Sequence, residues 1–274
     1  MPKSTADIVQ GKNIRGAAVG KPKSGKTVNL CSFPGKIMVF DIDRRIDSVL
    51  KMHPTRKNIF FEQYSSDQYE LLERDINVHG DDKSYGLYIL DSMTSLSDML
   101  ITYSMKLRGV GQAARTGKAK GVISLSEVED FGAEAEGLKK VINALLSIDH
   151  AHVFITMHIL KTTAWSITEN KEIVMSSILT GGKKVAAKIP TLFNEIWAFD
   201  SVPGIGLGAA PTFNMYTVPT IDVPSAGTCL HLPNKLECTL PKFNLWQQIE
   251  DALKKSVPVT PVPLGTSTVV QPTT

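Results

Sequence analysis

Gly20-Lys21-Pro22-Lys23-Ser24-Gly25-Lys26-Thr27 is the stretch on which the fold turns. It has the spacing G-x-x-x-x-G-K-[ST]. Glycines at both ends let the backbone wrap so that its N–H groups point inward at phosphate oxygens. A helix starting near Lys26 would add its positive N-terminal end. Lys26 is then expected to reach the β- and γ-phosphates of a nucleotide, and the Thr27 hydroxyl to coordinate Mg²⁺. The expected contact set is Gly20, Lys21, Pro22, Lys23, Ser24, Gly25, Lys26 and Thr27, with Val28 following. The bland alternative is a basic, Gly-rich surface turn. The flanks argue against it: apolar Ile14 to Val19 precedes the loop and a helical segment follows, which is the context the motif requires.

Outward from the loop, strands and helices alternate. Ile37–Phe40, Leu87–Leu90, Val153–Thr156 and Ile196–Phe199 read as short buried strands. Ser65 to Ile76 reads as a helix capped by Ser65 or Ser66, with Tyr69, Leu72 and Ile76 on one side, and Val128 to Ser147 as an amphipathic helix. This alternation predicts an α/β fold with a mostly parallel central sheet flanked by helices. After Ser201 the texture turns to Gly, Pro and β-favouring residues. Strands at Thr212–Val218 and Thr228–Leu232 should extend the sheet in antiparallel fashion, and a helix from Phe243 to Lys255 should close it. Residues 13–255 read as one domain, 1–12 as a flexible N-terminus and 256–274, charge-free and rich in Pro, Thr and Val, as a disordered tail.

Composition sets the outer bounds. Of 274 residues, 42% are hydrophobic and 21% charged, an ordinary globular profile that needs no disulfides for its core. Net charge is +3, so bulk charge selects no polyanionic partner. Three scattered cysteines without a CxxC pair fit a reducing compartment, and no apolar run approaches the roughly 20 residues that cross a bilayer. The expectation is a cytoplasmic protein with no membrane association.

The strand ends carry the chemistry. Tyr88-Ile89-Leu90-Asp91-Ser92 is an apolar strand ending in an acid, placing Asp91 to hold a Mg²⁺-bound water, although an Asp there also makes a helix N-cap. Ile37–Phe40 runs into Asp41-Ile42-Asp43-Arg44-Arg45. An acid here would face the γ-phosphate and orient or deprotonate the attacking water, with Asp43 ahead of Asp41; the alternative is that both acids cap, or pair with Arg44 and Arg45. Val153–Thr156 ends in Thr156-Met157-His158, where His158 would sense the γ-phosphate.

The order of these parts resembles the RecA-like ATPases. Val39-Phe40-Asp41-Ile42-Asp43 is similar to the strand delivering that family's catalytic acid, with Asp43 in place of the usual Glu. Ile89-Leu90-Asp91-Ser92 looks like the Walker B strand, and Phe154-Ile155-Thr156-Met157-His158 like the strand whose polar end couples γ-phosphate to DNA. Thr180-Gly181-Gly182-Lys183-Lys184-Val185 resembles the turn and helix after the second DNA-binding loop. More narrowly, the chain resembles phage-encoded RecA-like ATPases of single-strand-annealing recombination systems, which would put it in the host cytoplasm. The resemblance implies ATP and Mg²⁺ as ligands, Lys26, Asp43, Asp91 and His158 as the hydrolytic set, single-stranded DNA as partner, and assembly into a ring or filament alongside a single-strand-binding protein. One departure stands out. Pro203 to Met215, where filaments supply lysines to a neighbour's γ-phosphate, has no Lys or Arg, leaving Lys183, Lys184 and Lys188 as candidate trans-acting cations.

Two loops fall where that family contacts DNA. Lys106 to Gly121 holds Lys106, Arg108, Arg115, Lys118 and Lys120, with no acid and four glycines, so it reads as a flexible loop that can neutralise phosphates. Lys161 to Thr180 holds Lys161 and Trp165, whose ring could stack on a base or pack in a core or interface. A P-loop kinase for a small metabolite, with Arg108 and Arg115 on a lid, is the alternative from another class, and a helicase-like motor a third.

Overall fold

In the central strands, successive residues go to opposite faces of one sheet, and both faces are covered. The structure is a computed structural model, and it describes residues 13–116, 126–166, 171–180, 183–205 and 209–255. Strand β1 (Arg15–Gly20), β2 (Lys36–Asp41), β3 (Ile59–Gln63), β4 (Tyr85–Asp91), β5 (His152–Met157) and β8 (Glu195–Val202) form the parallel body. Met38, Phe40, Tyr88 and Leu90 face one layer; Ile37, Val39, Leu87 and Ile89 face the other, all inaccessible to solvent. Burial on both faces is why these strands read as continuous apolar runs.

The first layer contains α3 (Tyr69–Gly80), α4 (Met93–Thr116) and α5 (Val128–Leu146), through Leu72, Leu96, Leu138 and Ile142. The second contains α1 (Lys26–Leu30), α2 (Asp47–Met52) and α7 (Leu245–Lys255), through Leu30, Val49, Leu245 and Ile249. Strands β9 (Thr212–Tyr216) and β10 (Lys235–Glu237) continue the sheet antiparallel beyond β8, giving the order β10-β9-β8-β1-β5-β4-β2-β3. This is the P-loop NTPase α/β fold. Outside it, β6 (Ile159–Ser166) and β7 (Lys171–Ile178) make a separate antiparallel hairpin, followed by α6 (Lys183–Lys188). No helix among the described residues is long and apolar enough to cross a membrane.

Several local expectations are corrected. The α3 helix starts at Tyr69, after Gln68, because the Ser65 hydroxyl donates to Asp67 and the Ser65 N–H goes to the Gln68 side chain. Thr228–Leu232 forms no strand. The Cys229 N–H and Thr228 hydroxyl are committed to the buried Glu195 carboxylate, leaving only an isolated bridge between Ile196 and Gly227. Lys106 to Thr116 is helix, the second half of α4, rather than loop. Ser104 and Arg108 are tied to Asp130 at the start of α5, and this anchoring outweighs the low helix propensity of Gly109 and Gly111. Most of the second predicted loop is the β6–β7 hairpin. The segments 1–12 and 256–274, like Lys118, Lys120 and the Gly181-Gly182 turn, lie outside the described residues.

Candidate nucleotide site

Connections from β1 run to β2 on one side of the sheet, while β5 leads on to β8 on the other, so a crevice opens at the carboxyl ends of β1 and β5. The Gly20–Thr27 loop rims it. A Cβ on Gly20 would stand 2.2 Å from the Phe199 carbonyl oxygen, so only glycine lets the loop leave β1 beside β8. Gly25 has φ 81°, and a Cβ there would also meet Phe213 at 2.9 Å. Lys23 is left-handed too, with φ 63°. Alternating hand turns successive N–H groups to one side, the geometry of an anion nest. Helix α1 is five residues long, so the expected helix-end contribution comes from little more than one turn.

Lys26 lies at the centre. Its ammonium donates to the carbonyls of Gly20 (3.0 Å) and Lys21 (2.8 Å) and sits 3.4 Å from His158 Nδ1. Burial lowers its pKa from the ordinary lysine value to about 8; Asp91 and Asp43 pull it upward, and Arg45 adds to the lowering. It therefore remains a cation at neutral pH, without solvent to screen it.

Asp91 ends β4, in register with Asp41 of β2. Its two oxygens accept from Thr27 (2.8 Å) and Thr156. Burial pushes its pKa up, against those two hydrogen bonds. The Thr27 hydroxyl and the Asp91 carboxylate, arriving from α1 and β4, touch beside the loop. A hydroxyl and a carboxylate oxygen side by side fit a small hard cation completed by water and phosphate oxygens, as Mg²⁺ prefers. Bound there, such an ion would neutralise charge on the β- and γ-phosphates. Thr27 and Asp91 are the residues that would hold it.

Asp43 and His158 meet across the crevice. His158 Nε2 is 3.3 Å from Asp43 Oδ2, while Asp43 Oδ1 accepts from Ser92 (2.8 Å) and Ser95. Burial works to raise the Asp43 pKa, but the bonds with His158, Ser95 and Ser92 outweigh it and hold the carboxyl well below its usual range. Asp41, the second choice for the water-orienting role, is structural. Its oxygens accept from the N–H groups of Arg45 and Ile46 and from the Gln63 amide, which turns it away from the crevice. The alternative reading of the two acids holds in part: Asp41 caps the backbone that follows it, while among the described residues neither acid is ion-paired with Arg44 or Arg45.

The crevice encloses about 690 Å³ and is lined by Pro22 to Asn29, Asp43 to Arg45, Asp91 and His158, with Phe213, Cys238 and Leu240 as an apolar wall. That volume suits a nucleotide-sized ligand. Sequence reasoning missed the wall, which comes from β9 and the segment after β10. It also missed Ser95; the legible sign was its place three residues after Ser92, on the same helix face as a strand-end acid.

The predicted DNA residues scatter. Lys106 is exposed on α4. Arg108 is committed to Glu127 (2.6 Å) and Asp130 (3.0 Å), so it is neither a phosphate contact on a free loop nor a lid residue. Arg115 lies near the end of α4. Lys161 is on β6, its ammonium against Asp222, which also pairs with Lys21 of the phosphate loop (3.2 Å). Trp165 stands opposite Glu172 in the hairpin register. Of the candidate trans-acting cations, Lys183, Lys184 and Lys188 all fall on α6.

Residues 12–205 match the model of the AAA domain family, a span that runs from the entry to β1 through the whole of β8 and leaves β9, β10 and α7 beyond it. None of the curated proteins matches the chain. With a nucleotide-hydrolysing P-loop core over well more than half its length, the chain belongs to the AAA domain family of P-loop ATPases.

Proposed function

We propose that this ATPase is a RecA-like, ATP-dependent single-stranded-DNA-binding protein of phage-type recombination or annealing, acting as a ring or filament together with a single-strand-binding protein. Lys26 and the loop amides bind the phosphates. Asp43 orients the attacking water, and His158 reads the γ-phosphate. One observation carries this reading. His158 touches both Lys26 and Asp43, and the very next residue, Ile159, begins the β6–β7 hairpin that carries Lys161 and Trp165. A change at the γ-phosphate therefore has one peptide bond to cross before it reaches the hairpin. The Asp222 bridge between Lys21 and Lys161 is a second link between loop and hairpin. ATP would order these flanking elements and so favour DNA binding.

The test is steady-state ATP hydrolysis with and without single-stranded DNA, for the wild type and Lys26→Ala. DNA should raise turnover, and the substitution should lower it by about 100-fold or more, the usual loss when a buried charge-stabilising donor is removed. If turnover ignores DNA across a salt range in which DNA is bound, the coupling is wrong. A P-loop kinase would instead show transfer to an added acceptor.

A further inference from the structure

The turn after β2 reads Asp41-Ile42-Asp43-Arg44-Arg45-Ile46, two acids beside two arginines, and the simple expectation is local neutralisation. The carboxylates are used otherwise. Asp41, buried beneath the turn, accepts the N–H groups of Arg45 (3.1 Å) and Ile46 (3.1 Å). Asp43 is filled by Ser92, Ser95 and His158. Among the described residues neither guanidinium has a carboxylate partner, and both side chains line the crevice that holds Lys26.

The backbone adds to this. Arg44 has φ 55°, a left-handed conformation that L side chains rarely adopt. Asp41 is what holds the chain there, because its two oxygens grip the next two N–H groups. The turn is thus clamped at the rim of the crevice that holds Lys26. Two exposed arginines at the rim of a crevice that already holds the Lys26 ammonium make it a place for a polyanion. The segment after β8, where a neighbour's lysines would be sought, has no cation at all.

We propose that Arg45, on the Asp41-clamped turn after β2, is a phosphate-binding residue supplied in cis, which contacts the triphosphate of the bound nucleotide. Arg44 has the lesser share, since the Asp41 clamp holds Arg45 by its own N–H. The chain then brings its own cation to the charge that develops on the transferred phosphoryl group, the task an arginine supplied in cis performs in other P-loop enzymes. Selectivity follows: a residue on the γ-phosphate side favours nucleoside triphosphate over diphosphate. The inference rests on the nucleotide reading of the crevice, with Lys26 as its control.

The experiment uses the full-length protein with Mg²⁺ and compares wild type, Arg45→Gln, Arg45→Lys, Arg44→Gln and Lys26→Ala. Affinities for a non-hydrolysable ATP analogue and for ADP are measured, then kcat and KM without DNA. Arg45→Gln should weaken the triphosphate analogue tenfold or more and ADP by under threefold, with Arg45→Lys recovering part of the loss. Arg44→Gln should have the smaller effect. If Arg45→Gln binds both nucleotides and turns over like wild type while Lys26→Ala binds neither, the arginine proposal fails and the nucleotide site stands. If Lys26→Ala also binds normally, the reading of the crevice itself fails. Loss of DNA affinity in Arg45→Gln with nucleotide binding intact would assign the turn to nucleic acid and likewise overturn the proposal.

Discussion

The crevice at the carboxyl ends of the strands and the β6–β7 hairpin differ in how their polar residues are held. In the crevice, groups far apart in sequence interlock: Thr27 with Asp91, Asp43 with Ser92 and His158, Lys26 with His158. Parallel register sets those meetings, since β2 and β4 align Asp41 with Asp91 and the strands deliver their ends to one level. The hairpin is a two-stranded unit beside the sheet, and the described hold on its one predicted cation with a partner is the ion pair of Lys161 with Asp222. A reaction needs positions held to fractions of an ångström, which packed parallel strands provide. The proposed role of the hairpin, following a nucleic-acid backbone, would need charge that can adapt, as a hairpin tethered at a strand end allows.

The largest effect expected from testing this contrast is at Asp43. Asp43→Asn keeps the shape but loses the charge, so kcat should fall by about 100-fold, the usual scale for a group acting on a proton, with nucleotide affinity little changed. A change in KM alone would move Asp43 from the chemistry to binding and blur the distinction between the two regions. A smaller effect is expected at the link between them. Asp222→Asn frees Lys21 and Lys161, so single-stranded-DNA affinity at low salt should rise a few-fold. The slope of log affinity against log salt should steepen by about 0.7 for each lysine newly on a phosphate. An unchanged slope would separate the hairpin from DNA.

The smallest effect concerns the other end of the strand that delivers His158. His152, at the start of β5, accepts the Ile14 N–H through Nδ1 (2.9 Å) and packs against Phe33 and Trp246. Burial lowers its pKa from 6.5 to about 4. The unfolded chain therefore binds a proton between pH 6.5 and 4 that the folded chain refuses. Stability should fall as pH drops through that window and level off below it, and His152→Gln should flatten the dependence. Thermal midpoints across the window measure this. If wild type and His152→Gln lose stability in parallel, other groups dominate.

Much of the crevice was legible because its residues end apolar runs. Asp91 after Leu87–Leu90 and His158 after Val153–Thr156 are marked by the stop of a buried strand, a local feature. The helix over Lys106–Thr116 was not, since its glycines and lack of acids suggest a mobile loop. Its anchors, Glu127 and Asp130, belong to the next helix and act only through space. The alternative that Asp41 and Asp43 pair with Arg44 and Arg45 fails for the same reason. Adjacent opposite charges suggest pairing, but Asp41 and Asp43 were claimed by backbone N–H groups and by residues some 50 or more positions away.

The amino-acid sequence by itself determined the phosphate loop and the acid that ends β4. The loop needs glycine where the Phe199 carbonyl crowds Gly20 and where Gly25 turns left-handed, with a lysine and threonine at set spacing. Tertiary structure alone decided which acid faces the crevice, that Ser95 completes the Asp43 site, that Asp222 bridges Lys21 to Lys161, and that the arginine turn has its charge to spare. Each depends on which strands become neighbours and in what register, and hydrogen-bond capacity is assigned only when those neighbours arrive.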